Sequence, residues 1–330
     1  MMRTSTGLVE GREQDERCPV RVDAEVLLRR REGAYWLLSF AAPQIALRAR
    51  PGQFLNIAVG APGTLLRRPF SIARVSRQGA AAGTIDVVFD AHGPGTEWLT
   101  HVELHDFIDV IGPLGNGFPL PQRKVSCLLV GGGYGAAPLF YLARELTDRQ
   151  FRVDMIVGAA TGDRLLSPLE TKSLSVTASF TTEDGSYGHR GRVTDVMDDV
   201  ISSTNTGVVY ACGPNPMLNA VSRVCAERGI PVQVAVEERM ACGIGVCFTC
   251  TMPMRAKDGT IRMRRTCIDG PVLNGARIAW DHTRYDVAAP NIETEPPPNT
   301  VALLEPSEAP AESFTTSRIR RWDDEAQEWM

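Results

Sequence analysis

Glu238-Arg239-Met240-Ala241-Cys242-Gly243-Ile244-Gly245-Val246-Cys247-Phe248-Thr249-Cys250, followed downstream by Arg265-Thr266-Cys267-Ile268-Asp269-Gly270-Pro271-Val272, is the part of the chain around which the rest has to be arranged. Three cysteines spaced C-x4-C-x2-C, with a fourth further along, supply four thiolates with the ligand spacing that holds a [2Fe–2S] cluster. Gly243 and Gly245 let the backbone curl closely around such a group, with N–H donors aimed at its sulfides. A structural zinc site also takes four cysteines, but usually as two C-x2-C knuckles, and the second half here lacks that pairing. Disulfides need an oxidising compartment and usually a small chain, and neither is indicated. Cys18, Cys127, Cys212 and Cys225 are scattered and read as ordinary buried or site thiols.

Upstream of the cysteines, from residue 123 to 236, strands and helices alternate. An apolar strand at Val125 to Val130 runs into Gly131-Gly132-Gly133-Tyr134-Gly135 and a helix from about Ala136 to Thr147. Strands follow at Val153 to Val157, Leu174 to Phe180, Val208 to Ala211 and Val232 to Val236. Helices are expected near Leu165 to Glu170, Val193 to Ile201 and Pro216 to Arg228. This rhythm means βαβ units and a doubly wound, parallel α/β sheet, whose ligands sit at the carboxyl ends of the strands. Val125 to Ala143 carries no charge, yet its glycines and Pro138 make a strand, turn and helix a better reading than a bilayer span.

Further upstream, residues 18–122 change character. Val22 to Leu28, Tyr35 to Phe40, Gln53 to Val59, Phe70 to Val75, Thr84 to Phe89 and Phe107 to Ile111 are β-rich runs bounded by Gly, Pro or charge, with little helix between them. They predict a small antiparallel β-barrel. Within it, Arg67-Arg68-Pro69-Phe70-Ser71-Ile72 opens a strand. An arginine there can clamp a pyrophosphate, and the Ser71 hydroxyl can approach a flavin; a solvated Arg pair beside a core strand is the plain alternative. His92-Gly93-Pro94-Gly95-Thr96 leads into a short helix and offers N–H donors and a hydroxyl to phosphate, although such turns are common.

The glycine loop at 131–135 lacks side chains except at Tyr134, so a dinucleotide can lie against its backbone, although position 136 is Ala where G-x-G-x-x-G would have Gly. Ala211-Cys212-Gly213-Pro214-Asn215-Pro216-Met217 repeats the geometry at a later strand end. Cys212 there can pack at a nicotinamide face or be a buried small residue.

At 330 residues the chain accommodates these domains plus appendages. A composition 43% hydrophobic and 22% charged is ordinary for a globular protein, and a net charge of −4 argues against a nucleic-acid surface. Residues 1–17 read as a loose leader without the apolar stretch of a signal peptide, so a cytoplasmic protein with no membrane partner is expected. Residues 286–330, with Pro296-Pro297-Pro298 and few apolar groups, are expected to be a disordered tail. Its one amphipathic stretch carries Ile319, Trp322, Ala326 and Trp329 at helical spacing.

In this order the motifs R-x-[FY]-S, G-G-G-x-G-x-A-P and C-G-P-x-P-M resemble the ferredoxin–NADP⁺ reductase superfamily over about residues 20 to 285. Gly112-Pro113-Leu114-Gly115-Asn116-Gly117-Phe118, Thr182-Glu183-Asp184-Gly185-Ser186-Tyr187-Gly188, and above all E-R-M-x-C-G-x-G-x-C-x-x-C with C-x-D-G-P-V make the chain similar to the electron-transfer subunits of NAD-dependent dihydroorotate dehydrogenases. The resemblance implies an FAD-binding β-barrel, an NAD-binding α/β domain and a C-terminal [2Fe–2S] module at 237–285. It implies FAD contacts at Arg68, Pro69, Phe70, Ser71, Gly95 and Thr96, and nicotinamide-side contacts at Gly133, Gly135, Cys212 and Gly213. It implies cluster ligation by Cys242, Cys247, Cys250 and Cys267. The partner it implies is an FMN-containing catalytic subunit, in a heterotetramer of two plus two, serving pyrimidine biosynthesis, with no catalytic acid or base on this chain. Two departures stand out: Phe248 occupies a place where many members have a small residue, and the tail has no counterpart. Related diaphorase subunits of ferredoxin-dependent reductases, sulfite reductases or hydrogenases share the flavin and nucleotide motifs, and a non-catalytic metal-binding scaffold is the reading from another class.

Overall fold

The computed structural model describes residues 18–283; the leader at 1–17, the last residues of the cluster module and the tail at 286–330 lie outside the described residues. Six strands, β1 (Val20–Glu32), β2 (Tyr35–Ala41), β3 (Phe54–Ile57), β4 (Arg68–Ser76), β5 (Thr84–Phe89) and β6 (Phe107–Leu114), close into an antiparallel barrel in the order β1-β2-β5-β4-β3-β6. Two short helices, α1 (Pro43–Ala46) and α2 (Pro94–Leu99), interrupt it. Strand alternation decides where each side chain goes. In β2, Leu38 and Phe40 fill the barrel with Ile72, Ile85 and Val110, while Tyr35 and Leu37 face outward into a second core shared with the next domain.

That domain is built on β7 (Ser126–Gly132), α3 (Ala137–Asp148), β8 (Arg152–Ala159), α4 (Pro168–Leu174), β9 (Thr177–Thr182), β10 (His189–Arg190), α5 (Val193–Thr204), β11 (Thr206–Cys212), α6 (Asn215–Glu227) and β12 (Val232–Ala235). The sheet runs β10-β9-β8-β7-β11-β12, all parallel. β7 is covered on both faces, as an apolar run in a parallel sheet should be. Cys127 and Leu129 point to α3 and the barrel, and Leu128 and Val130 point to α5 and α6. Because α3 is wedged between sheet and barrel, it is buried over most of its circumference. Tyr141 on it packs into the barrel core and donates to Ala49 O at 2.9 Å.

A charged seam also joins the two domains. Arg74 of β4 donates through Nε to Glu170 of α4 at 2.8 Å, with Glu32 at 3.6 Å and Asp86 at 3.7 Å.

The cluster module contributes a hairpin, β13 (Thr251–Arg255) with β14 (Ile261–Arg265), and a strand, β15 (Val272–Asn274), that pairs antiparallel with β12. The sheet therefore ends in one antiparallel edge, where the sequence suggested only parallel strands. The short helix expected at 165–170 lies at Pro168–Leu174, and the following strand begins at Thr177 rather than at 174. Pro168 sits in the first turn, where its fixed φ starts a helix, while Leu165 and Leu166 are core residues of the preceding loop. Among the described residues no helix is long and apolar enough to cross a membrane.

Candidate functional site

The cysteine loop is organised by its glycines and by the barrel beneath it. Gly243 (φ +70°) and Gly245 (φ +83°) are left-handed, and each is crowded: a Cβ on Gly243 would run into the Asn56 amide, one on Gly245 into Ile268 at 2.9 Å. The fold brings the four thiols together two by two. Cys247 stands beside Cys242, and Cys267 beside Cys250. Backbone N–H groups of Ile244 (3.4 Å) and Val246 (3.3 Å) point at Cys242 Sγ. Among the described residues no three His, Cys, Asp or Glu side chains form a group suited to a single metal ion. Two thiol pairs with inward N–H donors would fit a binuclear iron–sulfur cluster better than one tetrahedral ion. Thr249 hydrogen bonds bring the exposed Cys247 thiol down to about 6, whereas burial pushes Cys267 up to about 12.

The module is seated on the barrel edge that carries the flavin candidates. Asn56 of β3, 2% exposed, donates from Nδ2 to Cys242 O at 3.0 Å, and Cys250 and Cys267 pack with Phe54 and Leu114 in one apolar cluster. Across the strand pair, Asn56 faces Pro69 and Ile57 faces Arg68. The 112–118 motif forms the other half of the seam. Asn116 donates from its backbone to Gly270 O at 2.6 Å and from Nδ2 to Ile268 O at 3.0 Å, and a Cβ on Gly115 would lie 2.7 Å from Gly270 O.

On β4, alternation turns Phe70 and Ile72 into the barrel, with Phe70 tilted on Phe89 at 5.5 Å, and leaves Ser71 exposed. Arg67 is occupied: it bridges to Asp109 Oδ2 at 2.5 Å and Asp109 O at 3.1 Å. Arg68 has no carboxylate partner among the described residues. It bonds only Leu66 O at 2.6 Å and lies over the start of α2, its Nε 2.8 Å from where a Gly95 Cβ would stand. The fold thus lays the Arg68 guanidinium directly over the buried Gly95 at the start of α2, where the missing side chain leaves room for it, and a cation placed there suits a pyrophosphate. Thr96 is turned inward. Its Oγ1 accepts from His92 N (3.1 Å) and Gly93 N (3.2 Å), so it shapes the turn with its hydroxyl already bonded.

At the sheet's switch point between β7 and β11, a cavity of about 500 Å³ opens, lined by Gly132, Gly133, Tyr134, Thr181, Arg192 and Met217, among others. Of the nicotinamide-side residues expected from the sequence, Gly133 lines it. Gly135, Cys212 and Gly213 stand behind it, packed backbone to backbone: a Gly135 Cβ would lie 2.6 Å from Gly213 Cα and 3.2 Å from Cys212 O. The Cys212 thiol is 3% exposed, and burial first, then Glu237, pushes its pKa well up, so it stays protonated. Burial likewise pushes Tyr134 up to about 12. Two residues that the sequence did not point to, Tyr35 and Arg164, complete the rim. Tyr35 meets Tyr134 edge-on at 5.7 Å and donates to Arg164 O at 2.8 Å, while the Arg164 guanidinium pairs with Asp90 at 2.6 Å. Tyr35 comes from the barrel, far from the glycine loop in sequence, so only the folded chain shows that it belongs here.

The fold and the two sites define a class: a flavin-type reductase, barrel plus nucleotide domain, carrying an iron–sulfur module. Residues 129–223 match an oxidoreductase NAD-binding domain and residues 237–279 match the iron–sulfur cluster binding domain of dihydroorotate dehydrogenase B. The dihydroorotate dehydrogenase B (NAD⁺) electron transfer subunit of Desulforamulus reducens is 35% identical, covering 74% of this chain and 93% of its own. That of Geobacillus thermodenitrificans is 38% identical, covering 73% and 91%. Among solved structures, the NADH-dependent reduced ferredoxin–NADP oxidoreductase superposes with a TM-score of 0.69 at 29% identity, covering 79% of this chain and 91% of that one. A ferredoxin reductase of carbazole 1,9a-dioxygenase, at 21% identity and TM-score 0.55 over 66% of this chain and 69% of its own, shares the fold. The chain belongs to the family of dihydroorotate dehydrogenase B (NAD⁺) electron transfer subunits.

Proposed function

We propose that this protein carries electrons between a catalytic dihydroorotate dehydrogenase subunit and NAD⁺, in pyrimidine biosynthesis in the cytoplasm. The observation that carries the reading is the seating of the paired cysteines on β3, one strand from Arg68 and Ser71, in a chain whose neighbouring domain opens a cavity at the sheet's switch point. FAD and a [2Fe–2S] cluster, when bound, supply hydride transfer and single-electron transfer.

The chain's own residues bind, orient and exclude water. Cys242, Cys247, Cys250 and Cys267 are the cluster ligands, and the apolar packing of Phe54 and Leu114 keeps water from the inner pair. Arg68, seated over the side-chain-free Gly95, takes the FAD pyrophosphate, with Pro69, Phe70 and Thr96 shaping the strand and turn, and Ser71 presents its hydroxyl outward. Gly133 offers backbone to the NAD pyrophosphate, while Gly135, Cys212 and Gly213 hold the two loops of the cavity together. No side chain of this chain is asked to move a proton. The domains run 18–122, 123–236 and 237–285. The partner carries FMN, in a heterotetramer of two plus two, and docks over the exposed Ile244, Val246 and Phe248 around the cysteine loop.

The likeness at 29% identity to the NADH-dependent reduced ferredoxin–NADP oxidoreductase supports a second reading, in which the electrons come from a ferredoxin. One experiment separates them. Co-expression with the catalytic subunit should give a complex in which dihydroorotate reduces NAD⁺. A complex that is inert to dihydroorotate but passes electrons from reduced ferredoxin would replace the first reading by the second.

A further inference from the structure

Arg265 ends β14, two residues before Cys267 and paired across the hairpin with Thr251, the residue after Cys250. Its side chain reaches back to the other half of the cysteine set. Nη1 donates to Gly245 O at 2.7 Å, and Cζ lies 4.6 Å from the centre of the Phe248 ring, next to Cys247. A single guanidinium thus connects the segments that bear both thiol pairs. Phe248 is 62% exposed and holds φ at +58°, a left-handed conformation that is unfavourable for a bulky residue. The stack under Arg265 offsets part of that strain.

The charge of Arg265 is not neutralised. Asp269, four residues on, accepts the Arg265 backbone N–H at 2.8 Å and faces the guanidinium of Arg264 at 3.8 Å. Among the described residues no carboxylate forms an ion pair with the Arg265 guanidinium. A cation held half-buried against a ligand loop favours whichever state of the bound group is more negative. For an iron–sulfur cluster that state is the reduced one, and nearby charge and hydrogen bonding are the means by which a protein sets the potential.

We propose that Arg265 is the positioning residue that raises the reduction potential of the cluster: it clamps the Gly245–Phe248 loop and places one uncompensated positive charge beside the thiolates. The inference rests on the cluster assignment made above. The electron that enters comes from the flavin of either subunit, and no bond is made or broken at Arg265.

The test is a redox titration of the iron-loaded protein, following the cluster by paramagnetic resonance and the FAD by visible absorption, with Arg265→Lys, Arg265→Gln and Arg265→Met. At a fixed applied potential the ratio of reduced to oxidised cluster should fall about threefold to thirtyfold in the Gln and Met variants, as expected for losing one charge at the edge of the site. The Lys variant should stay within about twofold of the parent, since it keeps that charge, and the FAD titration should not move in any of them. Parental cluster potentials in a Gln variant with full iron and sulfide would overturn the proposal, as would a Lys variant shifted as far as Gln. Loss of iron from the two uncharged variants alone, with Lys at the parental potential, would support it. Loss from all three would make Arg265 a builder of the loop and overturn its electrostatic role. A parent protein isolated without iron and sulfide would strike the cluster assignment itself, not the role of Arg265.

Discussion

Gly135→Ala is the substitution whose consequence follows most directly from the packing. Gly135 has no left-handed φ, so an alanine there incurs no backbone strain and would ordinarily be harmless. Its Cβ, however, would stand 2.6 Å from Gly213 Cα, 2.9 Å from Gly213 N and 3.2 Å from Cys212 O. All three are backbone atoms of the loop after β11, and none can swing aside as a side-chain end would. Relief requires the β7 and β11 loops to separate by most of an ångström, and overpacking of this kind costs about 1–3 kcal/mol. For a domain of this size each kcal/mol lowers Tm by about 2–4 °C. Because those two loops form the edge of the nucleotide cavity, NADH affinity should fall by about tenfold, equivalent to roughly 1.4 kcal/mol. Calorimetry and a fluorescence titration with NADH check the two effects separately. An alanine variant with parental Tm and parental NADH affinity would refute the claim that the two glycines hold the cavity's shape by direct backbone contact.

Arg68→Ala should lose FAD on gel filtration while keeping its fold, since a charge-assisted bond to phosphate is worth roughly 1.5–3 kcal/mol; equal flavin retention, read by fluorescence, would count against it. Cys247→Ser should lose the visible absorption of the cluster and keep FAD, and a variant with full iron and sulfide would show that Cys247 is no ligand. Asp109→Asn tests the ion bridge to Arg67 and Arg21. Burial alone would raise the Asp109 pKa, but hydrogen bonds from Arg67 and Arg21 outweigh it and hold the carboxyl below its ordinary value. A lowered folded-state pKa means stability that is present above the unfolded pKa and is lost as pH falls through the folded one. The Asn variant should therefore be less stable than the parent near neutrality, and the difference should begin to shrink as pH falls through about 4, the ordinary carboxylate value, and vanish only below the lower folded-state pKa. A difference in Tm that stays constant down to pH 3 would refute the linkage.

The barrel, the alternating domain and the cysteine module were all legible in the sequence, because each is written in local periodicity: short alternating runs, an apolar strand ending in glycines, and thiols at fixed spacing. What was not legible depends on contacts between distant segments. Asn56 sits in an ordinary strand, and nothing local marks it as the donor to Cys242 O. Tyr35 reaches the nucleotide cavity only because α3 packs the barrel against the sheet. Cys212 could be read from the sequence as a nicotinamide-side residue or as a buried small one; its thiol is 3% exposed, and its carbonyl packs against Gly135. Strand β15 was missed because its three residues carry no period of their own and pair only once β12 is in place.

The central claim is that the paired cysteines and the flavin face of the barrel form one electron path ending at NAD. It is tested most directly by mixing the purified, iron-loaded chain with NADH under anaerobic conditions and following both centres, flavin by absorption and cluster by paramagnetic resonance. The account predicts that NADH alone reduces the cluster, that the flavin responds no later than the cluster, and that the cluster signal disappears in Arg68→Ala depleted of FAD and returns when FAD is added back. Cluster reduction by NADH without FAD, or a cluster that dithionite reduces but NADH with FAD does not, would contradict it.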